Sequence, residues 1–249
     1  MKIEFLKTNK IQSIKDWECY APPKDKDKHW KPGRSAYSMA DFAINNNENF
    51  KKVITDILKD CKIDIQDFEC EPEATAGLGR GMQRGGPRNH DLLMVGKNCV
   101  IGIEAKVSET FDRKWGFVQN KQSKKQGNDN TRASELRKFL TPDKPDNVVN
   151  DIGYQLFTAT RGTMISAMKA GFENAVLLVI VFEGKVELNI CETDEKYNKV
   201  VKNNDDDLAK FLCAIGAKEG KIRREIEGKT INCWIKKVKI RIPDYTIVK

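Results

Sequence analysis

The chain has 249 residues, which is enough for one large α/β domain or two small ones. Hydrophobic residues make up 39% and charged residues 32% of the chain, and the apolar residues are grouped into runs that fit strands and helices. The longest strongly apolar run, residues 175–182, is too short to cross a bilayer, and residues 1–5 lack the apolar core of a signal peptide, so neither a membrane protein nor a secreted protein is expected.

The charge balance points to a polyanionic partner. Forty-four Lys and Arg face 36 Asp and Glu, a formal net charge of +8. Excess positive charge attracts nucleic acid, although lysines that only add solubility give the same balance. The seven cysteines are odd in number and form no C-x-x-C pair, and the only histidines are His29 and His90. Reduced thiols in a cytoplasmic protein are therefore expected, rather than disulfides or a zinc site.

The N-terminal quarter is predicted to contain one strand and one interrupted helix. Residues 2–6 alternate as a short strand does, and an irregular stretch is expected from there to about residue 35. A helix is predicted over 38–61, with a break at Asn45-Asn46-Asn47. Its second half carries one apolar stripe at helical spacing, formed by Phe50, Val53, Ile54, Ile57 and Leu58.

Strand patterns follow the helix. Residues 63–71 read as a strand, and residues 76–88 carry too many glycines for regular structure. That glycine-rich stretch fits a loop that touches phosphates or a plain connection, and its basic side chains are Arg80, Arg84 and Arg88. Residues 91–95 and 99–107 are two apolar strands joined by a short turn, which predicts a hairpin.

The middle of the chain is less periodic. Residues 111–131 are polar and basic, and a long loop is expected there. Lys121, Lys124 and Lys125 in that stretch fit either contacts with a DNA backbone or a solvated surface. A short helix is predicted over 133–140 and a longer one over about 149–170.

The remaining patterns complete an α/β fold. Residues 175–182 are almost continuously apolar, as is typical of a strand buried on both faces. Asp205-Asp206-Asp207 is expected to open a helix, because acids favour the amino-terminal end of the helix dipole. The last predicted strand covers 231–242. Together these elements predict a mixed central β-sheet flanked by helices.

The most informative residues lie in the predicted hairpin. Side chains alternate along a strand, so Glu104 and Lys106 point to one face of strand 99–107, and Asp91 at the start of the preceding strand can reach the same edge. Two carboxylates that share a site suit Mg²⁺ or Mn²⁺, and a nearby lysine can orient or deprotonate a water molecule. An acid and a lysine two residues apart more often form a solvated face. The other face is uniformly apolar: Cys99, Ile101, Ile103, Ala105 and Val107.

These residues resemble a known group of enzymes. Asp91, twelve intervening residues and then Glu104-Ala105-Lys106 are similar to the signature of the PD-(D/E)XK nuclease superfamily. Tyr154-Gln155-Leu156 and the strand at 175–182 are similar to the helix and strand that complete the core in that superfamily. Together with residues 29–36 (HWKPGRSA), they resemble a poorly characterised bacterial branch of it, and the resemblance covers about residues 29–183.

The resemblance implies a single nuclease-like domain over 1–249 with a restriction-endonuclease-like core (αβββαβ), to which residues 184–249 add an extension that completes the sheet. It implies that Asp91, Glu104 and the carbonyl of Ala105 hold Mg²⁺ or Mn²⁺, that Lys106 acts on the attacking water, and that Gln155 lies beside the metal. It also implies hydrolysis of DNA, a setting in restriction or another defence against foreign DNA, and pairing into a homodimer.

Two departures from the family pattern leave alternatives open. His90 stands where the family has a proline before the first acid. The family commonly has one more acid upstream, for which Glu73 is favoured because it is closest to the glycine loop, while Glu71 and Glu48 remain candidates. The alternative function is a catalytically inactive nuclease-fold protein that acts as a nucleic-acid-binding or regulatory module.

Overall fold

The structure is a computed structural model that describes residues 1–5, 10–22, 30–79, 88–107, 109–126, 131–184 and 194–248. Two arginines of the predicted glycine loop, Arg80 and Arg84, lie outside the described residues, as do His29 and the side chain of Lys125. Arg88, the third arginine of that loop, is described.

Strand β1 (Ile3–Phe5) confirms the first prediction, but the stretch after it is not wholly irregular. Helix α1 (Ile14–Tyr20) begins with a capping box, in which the Ser13 hydroxyl accepts from the amide of Asp16 at 3.1 Å and Asp16 accepts from the amide of Ser13 at 3.0 Å. Such a cap satisfies amides that a helix start leaves unpaired, so a helix forms here without a long apolar stripe.

The interrupted helix is confirmed as two helices, α2 (Ser35–Ile44) and α3 (Asn47–Asp60). The asparagines end α2 by bonding to its last turn: Asn45 Nδ2 donates to Asp41 Oδ1 at 2.8 Å, and Asn47 Nδ2 donates to the Ala43 carbonyl at 2.9 Å. All five residues of the predicted apolar stripe of α3 are buried.

Five strands follow: β2 (Phe68–Pro72), β3 (Thr75–Ala76), β4 (Arg88–Asn89), β5 (Leu92–Val95) and β6 (Cys99–Lys106). The strand predicted from residue 63 begins only at Phe68, because Gln66 bonds the hairpin turn instead, its Oε1 accepting from the amide of Asn98 at 3.0 Å. The predicted hairpin is confirmed as the antiparallel pair of β5 and β6.

The expectation of a loop over 111–131 is wrong, since helix α4 (Trp115–Gln126) lies there. The helix is fixed by one large buried side chain, Trp115, whose ring centroid lies 4.4 Å from that of Phe157. It also uses a polar bond, in which Trp115 Nε1 donates to Gln119 Oε1 at 2.8 Å. An apolar stripe is therefore not needed, which is why periodicity did not reveal it.

Helix α5 (Arg132–Leu140) confirms the short helix, whereas the longer one is divided into α6 (Asp146–Val149) and α7 (Tyr154–Lys169). The helix is interrupted because the backbone between α6 and α7 bonds to the chain before α4: the amide of Trp115 donates to the Ile152 carbonyl at 2.8 Å.

Strand β7 (Asn174–Glu183) is buried on both faces, as predicted. The expectation that Asp205-Asp206-Asp207 opens a helix is wrong, because helix α8 (Asp194–Ala214) begins eleven residues earlier. The acids serve tertiary pairing instead: Asp207 is buried and accepts from Lys114 Nζ, and Asp205 accepts from Lys237 Nζ.

Strands β8 (Lys221–Ile226), β9 (Lys229–Arg241) and β10 (Thr246–Val248) complete the sheet. The strand order is β1-β2-β5-β6-β7-β9-β10, with β8 paired to β9. The pairs β1–β2, β6–β7 and β7–β9 are parallel and the others are antiparallel. The fold is thus α/β with a mixed central sheet, as the sequence predicted.

Helices cover both faces of the sheet and create two apolar cores. One core joins α2 and α3 to the sheet, and the other joins α5, α7 and α8 to the opposite face. No helix of the described residues has the length and apolar character of a membrane span. The cysteines that fall within the described ranges are free thiols, and a cytoplasmic location stays a prediction.

Candidate functional site

Strand β6 has two different buried faces. Ile101, Ile103 and Ala105 join the apolar core formed with α2 and α3. Glu104 and Lys106 alternate with them and are also buried, at 0% and 5% exposure. The predicted alternation is therefore present, but the charged face is enclosed by the protein rather than solvated, which is costly unless each charge has a partner.

Asp91 is fixed by the end of the hairpin. The last paired residues of β5 and β6 are Leu92 and Ile103, so the backbone ladder stops just before Glu104. The amide of Ala105 donates to Asp91 Oδ2 at 2.6 Å in place of a backbone partner. This bond holds the Asp91 carboxylate beside the residue that carries the second acid, as the sequence predicted.

Glu73 lies at a kink that brings it to the same place. It follows β2 with a left-handed φ of 48°, and its amide donates to the Asp91 carbonyl at 3.2 Å. A non-glycine residue in this region is strained, and such residues occur often at functional sites. The kink separates β2 from the short pair of β3 and β4, which continues the same antiparallel arrangement.

Glu104 is surrounded by three side chains. Its Oε1 contacts an Arg88 terminal nitrogen and lies 3.3 Å from His90 Nδ1. Its Oε2 accepts from Gln155 Nε2 at 2.8 Å. Gln155 is near the start of α7, so the helix predicted to carry the glutamine does place it at the acidic site. Arg88 and His90 add a cation and an imidazole that the motif alone does not include.

Lys106 lies at the carboxyl end of β6 on the same face as Glu104. Its Nζ is 5.7 Å from the centroid of the Phe111 ring. Its charge lowers the pKa of Asp91 and of Glu104, so the amine acts on both carboxylates. The aspartate, the glutamate and the lysine named from the sequence thus lie within electrostatic reach of one another.

The three acids of the cluster have different electrostatic environments. Burial, followed by repulsion from Asp91 and Glu104, raises the pKa of Glu73 to about 8. Burial and the Glu104 carboxylate raise the pKa of Asp91 to about 7. Burial also opposes the charge of Glu104, but Arg88, His90 and Lys106 hold the pKa of Glu104 at about 2. Asp91 and Glu73 therefore hold their protons more tightly than usual, whereas Glu104 is stabilised as an anion by its cationic neighbours.

His90 occupies a slot that two glycines leave open. A Cβ on Gly102 would lie 2.9 Å from His90 Cε1 and 2.3 Å from Thr163 Oγ1. A Cβ on Gly162 would lie 3.2 Å from His90 Nε2. Because β6 and α7 each have a glycine at this point, the fully buried imidazole fits between the strand and the helix. The fold thereby places the ring against Glu104.

The three candidate upstream acids lie in different places. Glu73 lies in the cluster, whereas Glu71 is exposed and accepts from the Tyr20 hydroxyl at 3.0 Å, and Glu48 is exposed and pairs with Lys51 at 2.9 Å. Sequence reasoning treated Arg88 as a loop cation and did not pair it with Glu104. The available signal was its spacing, three residues before Asp91.

The donor set fits a hard cation in part. Within the described ranges, no three or more His, Cys, Asp or Glu side chains form a group that could hold a metal ion. A Mg²⁺ site needs only one or two carboxylates, because the ion keeps several water molecules. The Oε1 atom of Glu104 is buried without a hydrogen-bond partner of good geometry, and two neighbouring acids have raised pKa values. A divalent cation would relieve both features.

Comparison with other proteins gives the family of the chain but not its activity. No curated protein and no solved structure matches it. Residues 10–242 match the model of a family described as a domain of unknown function (DUF6946). That range contains every residue of the acidic cluster and nearly the whole sheet, and the chain belongs to this family.

Proposed function

We propose that this protein is a Mg²⁺-dependent nuclease that hydrolyses phosphodiester bonds in DNA, with Mn²⁺ as an alternative ion. One observation carries the proposal: the Ala105 amide donates to Asp91, which directly precedes β5, and this bond holds the Asp91 carboxylate beside Glu104 and Lys106 of the adjacent strand β6. Acids and a lysine in this arrangement suit metal-assisted attack by water on a phosphate.

The order of the elements supports a restriction-endonuclease-like core. Helix α3 precedes the antiparallel strands β2, β5 and β6, and α7 then leads to β7, which is parallel to β6. This is the helix, three-stranded meander, helix and strand that the resemblance implies. Helices α4, α5 and α6 are an insertion between β6 and α7, and the strands after residue 184 extend the sheet.

The residues of the cluster divide the chemistry among them. Asp91, Glu104, the Ala105 carbonyl and Glu73 would hold the ion, which when bound supplies positive charge to the phosphate and its attacking water. Lys106 positions the water for in-line attack, in which a bond from water oxygen to phosphorus forms and the bond to the leaving oxygen breaks. Gln155 orients Glu104 through its 2.8 Å bond.

The test is a cleavage assay with matched variants. Wild type, Asp91→Asn, Lys106→Ala and the control Lys97→Ala, an exposed lysine in the hairpin turn, are incubated with plasmid or single-stranded DNA. We expect wild type and Lys97→Ala to cut DNA when Mg²⁺ or Mn²⁺ is present and to stop when EDTA is added. Asp91→Asn and Lys106→Ala should lose this activity. A loss of about 10²-fold or more follows if Lys106 acts on the water. Equal cutting by Lys106→Ala contradicts this mechanism.

One observation favours a second function, a nucleic-acid-binding or regulatory module that keeps the fold without turnover. Both oxygens of Glu104 are already in contact with protein groups, namely Arg88, His90 and Gln155. If Arg88 stays in place, its guanidinium would occupy the position beside Glu104 that a divalent ion would need. Equal DNA binding by all four proteins with no cutting by any of them would support this function instead.

The biological setting and the assembly follow from the proposal. The proposed setting is restriction or another defence against foreign DNA, in which a homodimer would bring two sites to one DNA molecule. Light scattering on the purified protein measures this directly, and a monomer at all concentrations would contradict the pairing.

A further inference from the structure

Helix α4 carries a concentrated positive charge. Residues 113–126 contain five Lys and Arg and no Asp or Glu. Three of them, Lys121, Lys124 and Lys125, lie within the helix rather than in the expected loop, and Arg113 and Lys114 come directly before it. An acid-free helix of twelve residues is an electrostatic match for a phosphate backbone.

The outer face of α4 combines this charge with an exposed aromatic ring. Phe117, Lys121 and Lys124 are spaced four and three residues apart, which places them on one side of the helix. All three are exposed, and Phe117, at 56%, is the most exposed of the large apolar side chains in the described part of the chain. In the described part of the chain, more than half of the Phe117 surface is thus left open to solvent beside two lysines.

A third cation joins this face from the residue before the helix. The Arg113 guanidinium carbon lies 5.2 Å from the centroid of the Phe117 ring, within the range of a cation–π contact. Over the described ranges, Arg113, Lys121 and Lys124 form no ion pair, whereas Lys114 is paired with Asp207. The exposed stripe Arg113–Phe117–Lys121–Lys124, here called the α4 stripe, is therefore available for an anionic partner.

The α4 stripe begins beside the acidic cluster. The Phe111 ring, two residues before Arg113, lies against Lys106. The Arg113 carbonyl accepts from the amide of Tyr154 at 2.9 Å, and the next residue, Gln155, contacts Glu104. A polymer bound along the stripe would thus pass close to the cluster.

We infer that the α4 stripe binds single-stranded DNA, with one base stacked on Phe117 and the phosphates against Lys121 and Lys124. A base in a duplex is already stacked and paired, so only an unpaired base can use an exposed ring in this way. The inference rests on the proposed function in naming DNA as the ligand, and it defines the substrate class of that site as strands with unpaired bases.

Binding without cutting tests the stripe separately from catalysis. In EDTA, fluorescence anisotropy measures the affinity of the full chain for an oligothymidine, for a strand of equal length with abasic sites throughout, and for a duplex. Phe117→Ala is expected to weaken oligothymidine binding by about tenfold or more, because one stacked base contributes roughly 1–3 kcal/mol. Phe117→Trp restores it, and neither change alters binding of the abasic strand.

The lysines give a different signature. Lys121→Ala combined with Lys124→Ala weakens the normal and the abasic strand alike, and it reduces the slope of log affinity against log salt by about 1.4, since each phosphate contact on a single strand contributes about 0.7. Ile65→Ala, at a residue that is 49% exposed elsewhere, is the control for loss of an exposed apolar side chain.

The outcomes separate the two ideas. Four results would each contradict the binding of DNA to the α4 stripe. Phe117→Ala could bind oligothymidine as tightly as wild type does, or it could lose as much affinity for the abasic strand as for oligothymidine. Ile65→Ala could lose as much affinity as Phe117→Ala, or the duplex could bind more tightly than oligothymidine. Stripe-dependent binding by a protein that never cuts DNA supports the stripe while the nuclease proposal fails. If Phe117→Ala cuts and binds DNA as wild type does, the nuclease proposal is supported while the inference about the stripe fails.

Discussion

The two faces of strand β6 are both buried, yet they are built on different physical principles. The face toward α2 and α3 carries Ile101, Ile103 and Ala105, which only pack. The face toward α7 begins with the apolar Val100 and continues with Gly102, Glu104 and Lys106, so beyond Val100 each position is a glycine or a charged residue. Because alternation gives each face its own residues, a single strand can serve the core and a chemical site at once.

The two faces of β6 contribute differently to the stability of the fold. On the α2 side the free energy of folding comes from burial of apolar area. On the α7 side buried acids oppose folding unless a cation neutralises them, as Arg88 does for Glu104 and as none of the described side chains does fully for Glu73. Substitutions on the α2 side should therefore change only stability, whereas substitutions of the acids and cations on the α7 side should change ion binding as well.

The largest effect is expected from a charge on the packing face. Ile103 has no exposed surface, and Ile103→Asp would bury a carboxylate with no cation of the apolar core to pair with it. A loss of about 5 kcal/mol or more follows, comparable to the whole stability of a domain, so the variant should not fold. Circular dichroism and the soluble fraction measure this.

Its control is conservative at the same position. Ile103→Val removes one methylene and should cost only about 1 kcal/mol. If Ile103→Asp folds with a melting temperature near that of Ile103→Val, then this face tolerates charge and the contrast between the two faces is wrong.

A second test measures how the stability of the protein depends on pH, which reports the charge of Glu73 on the α7 side. The pKa of Glu73 is raised to about 8, so the folded protein binds a proton that the unfolded chain releases near its ordinary value of 4.5. In the metal-free protein the free energy of unfolding should therefore fall as pH rises from about 5 to 8. Glu73→Gln removes this contribution, and its stability should exceed that of wild type by on the order of 2 kcal/mol at pH 8.

Urea titrations of both proteins at pH 5, 6.5 and 8 in EDTA give this difference. At pH 5 the two curves should nearly coincide, because Glu73 is then protonated when folded. A constant difference across the range, or a larger one at pH 5, would mean that Glu73 is charged in the folded protein. Addition of Mg²⁺ at pH 8 should stabilise wild type more than the variant.

Both faces of β6 could be predicted from the sequence, because strand alternation is a local rule. The position of Asp91 followed from the same rule, since the turn of the hairpin is short. The partners of Glu104 could not be predicted, because Arg88 and His90 reach it only through the pair of β3 and β4 and the glycine slot. Pairing across separate elements leaves no periodic signal.

Two of the errors in the helices, at α4 and α8, have the same origin. Helix α4 is held by the burial of Trp115 and by amide side chains, among them Gln122, whose Oε1 accepts from the amide of Ala133 at 3.0 Å. Helix α8 passes through the three aspartates that were expected to begin it, because Asp207 is neutralised by Lys114 from another element. Tertiary contacts overrode the local preference in both cases.

A smaller effect is expected from filling the space on the α7 side. Gly102→Ala adds a Cβ that would lie 2.3 Å from Thr163 Oγ1, so α7 must shift away from β6. Such overpacking should cost about 1–3 kcal/mol. Within the described residues the hydrogen bond of the Thr163 hydroxyl goes to the Ala159 carbonyl of its own helix, so Thr163→Ala alone should cost little.

The double variant is the informative measurement. Gly102→Ala with Thr163→Ala should recover part of the loss, giving a favourable coupling in a double-mutant cycle from thermal melts. Simple addition of the two single effects would show that the helix does not approach the strand as closely as 2.3 Å implies.

The smallest predicted effect concerns competition for Glu104. Arg88 contacts Glu104 Oε1, so under the proposed function its guanidinium would compete with a divalent ion for this carboxylate. Arg88→Gln removes this competitor and should tighten binding of Mn²⁺, measured by calorimetry on the metal-free protein, by about fivefold, or roughly 1 kcal/mol. Lys97→Gln changes the net charge equally at an exposed turn and should leave the affinity unchanged. Weaker binding by Arg88→Gln would mean that Arg88 holds Glu104 in place for the ion rather than occupying its position, and the charged face would then depend on its cation for geometry as well as for neutrality.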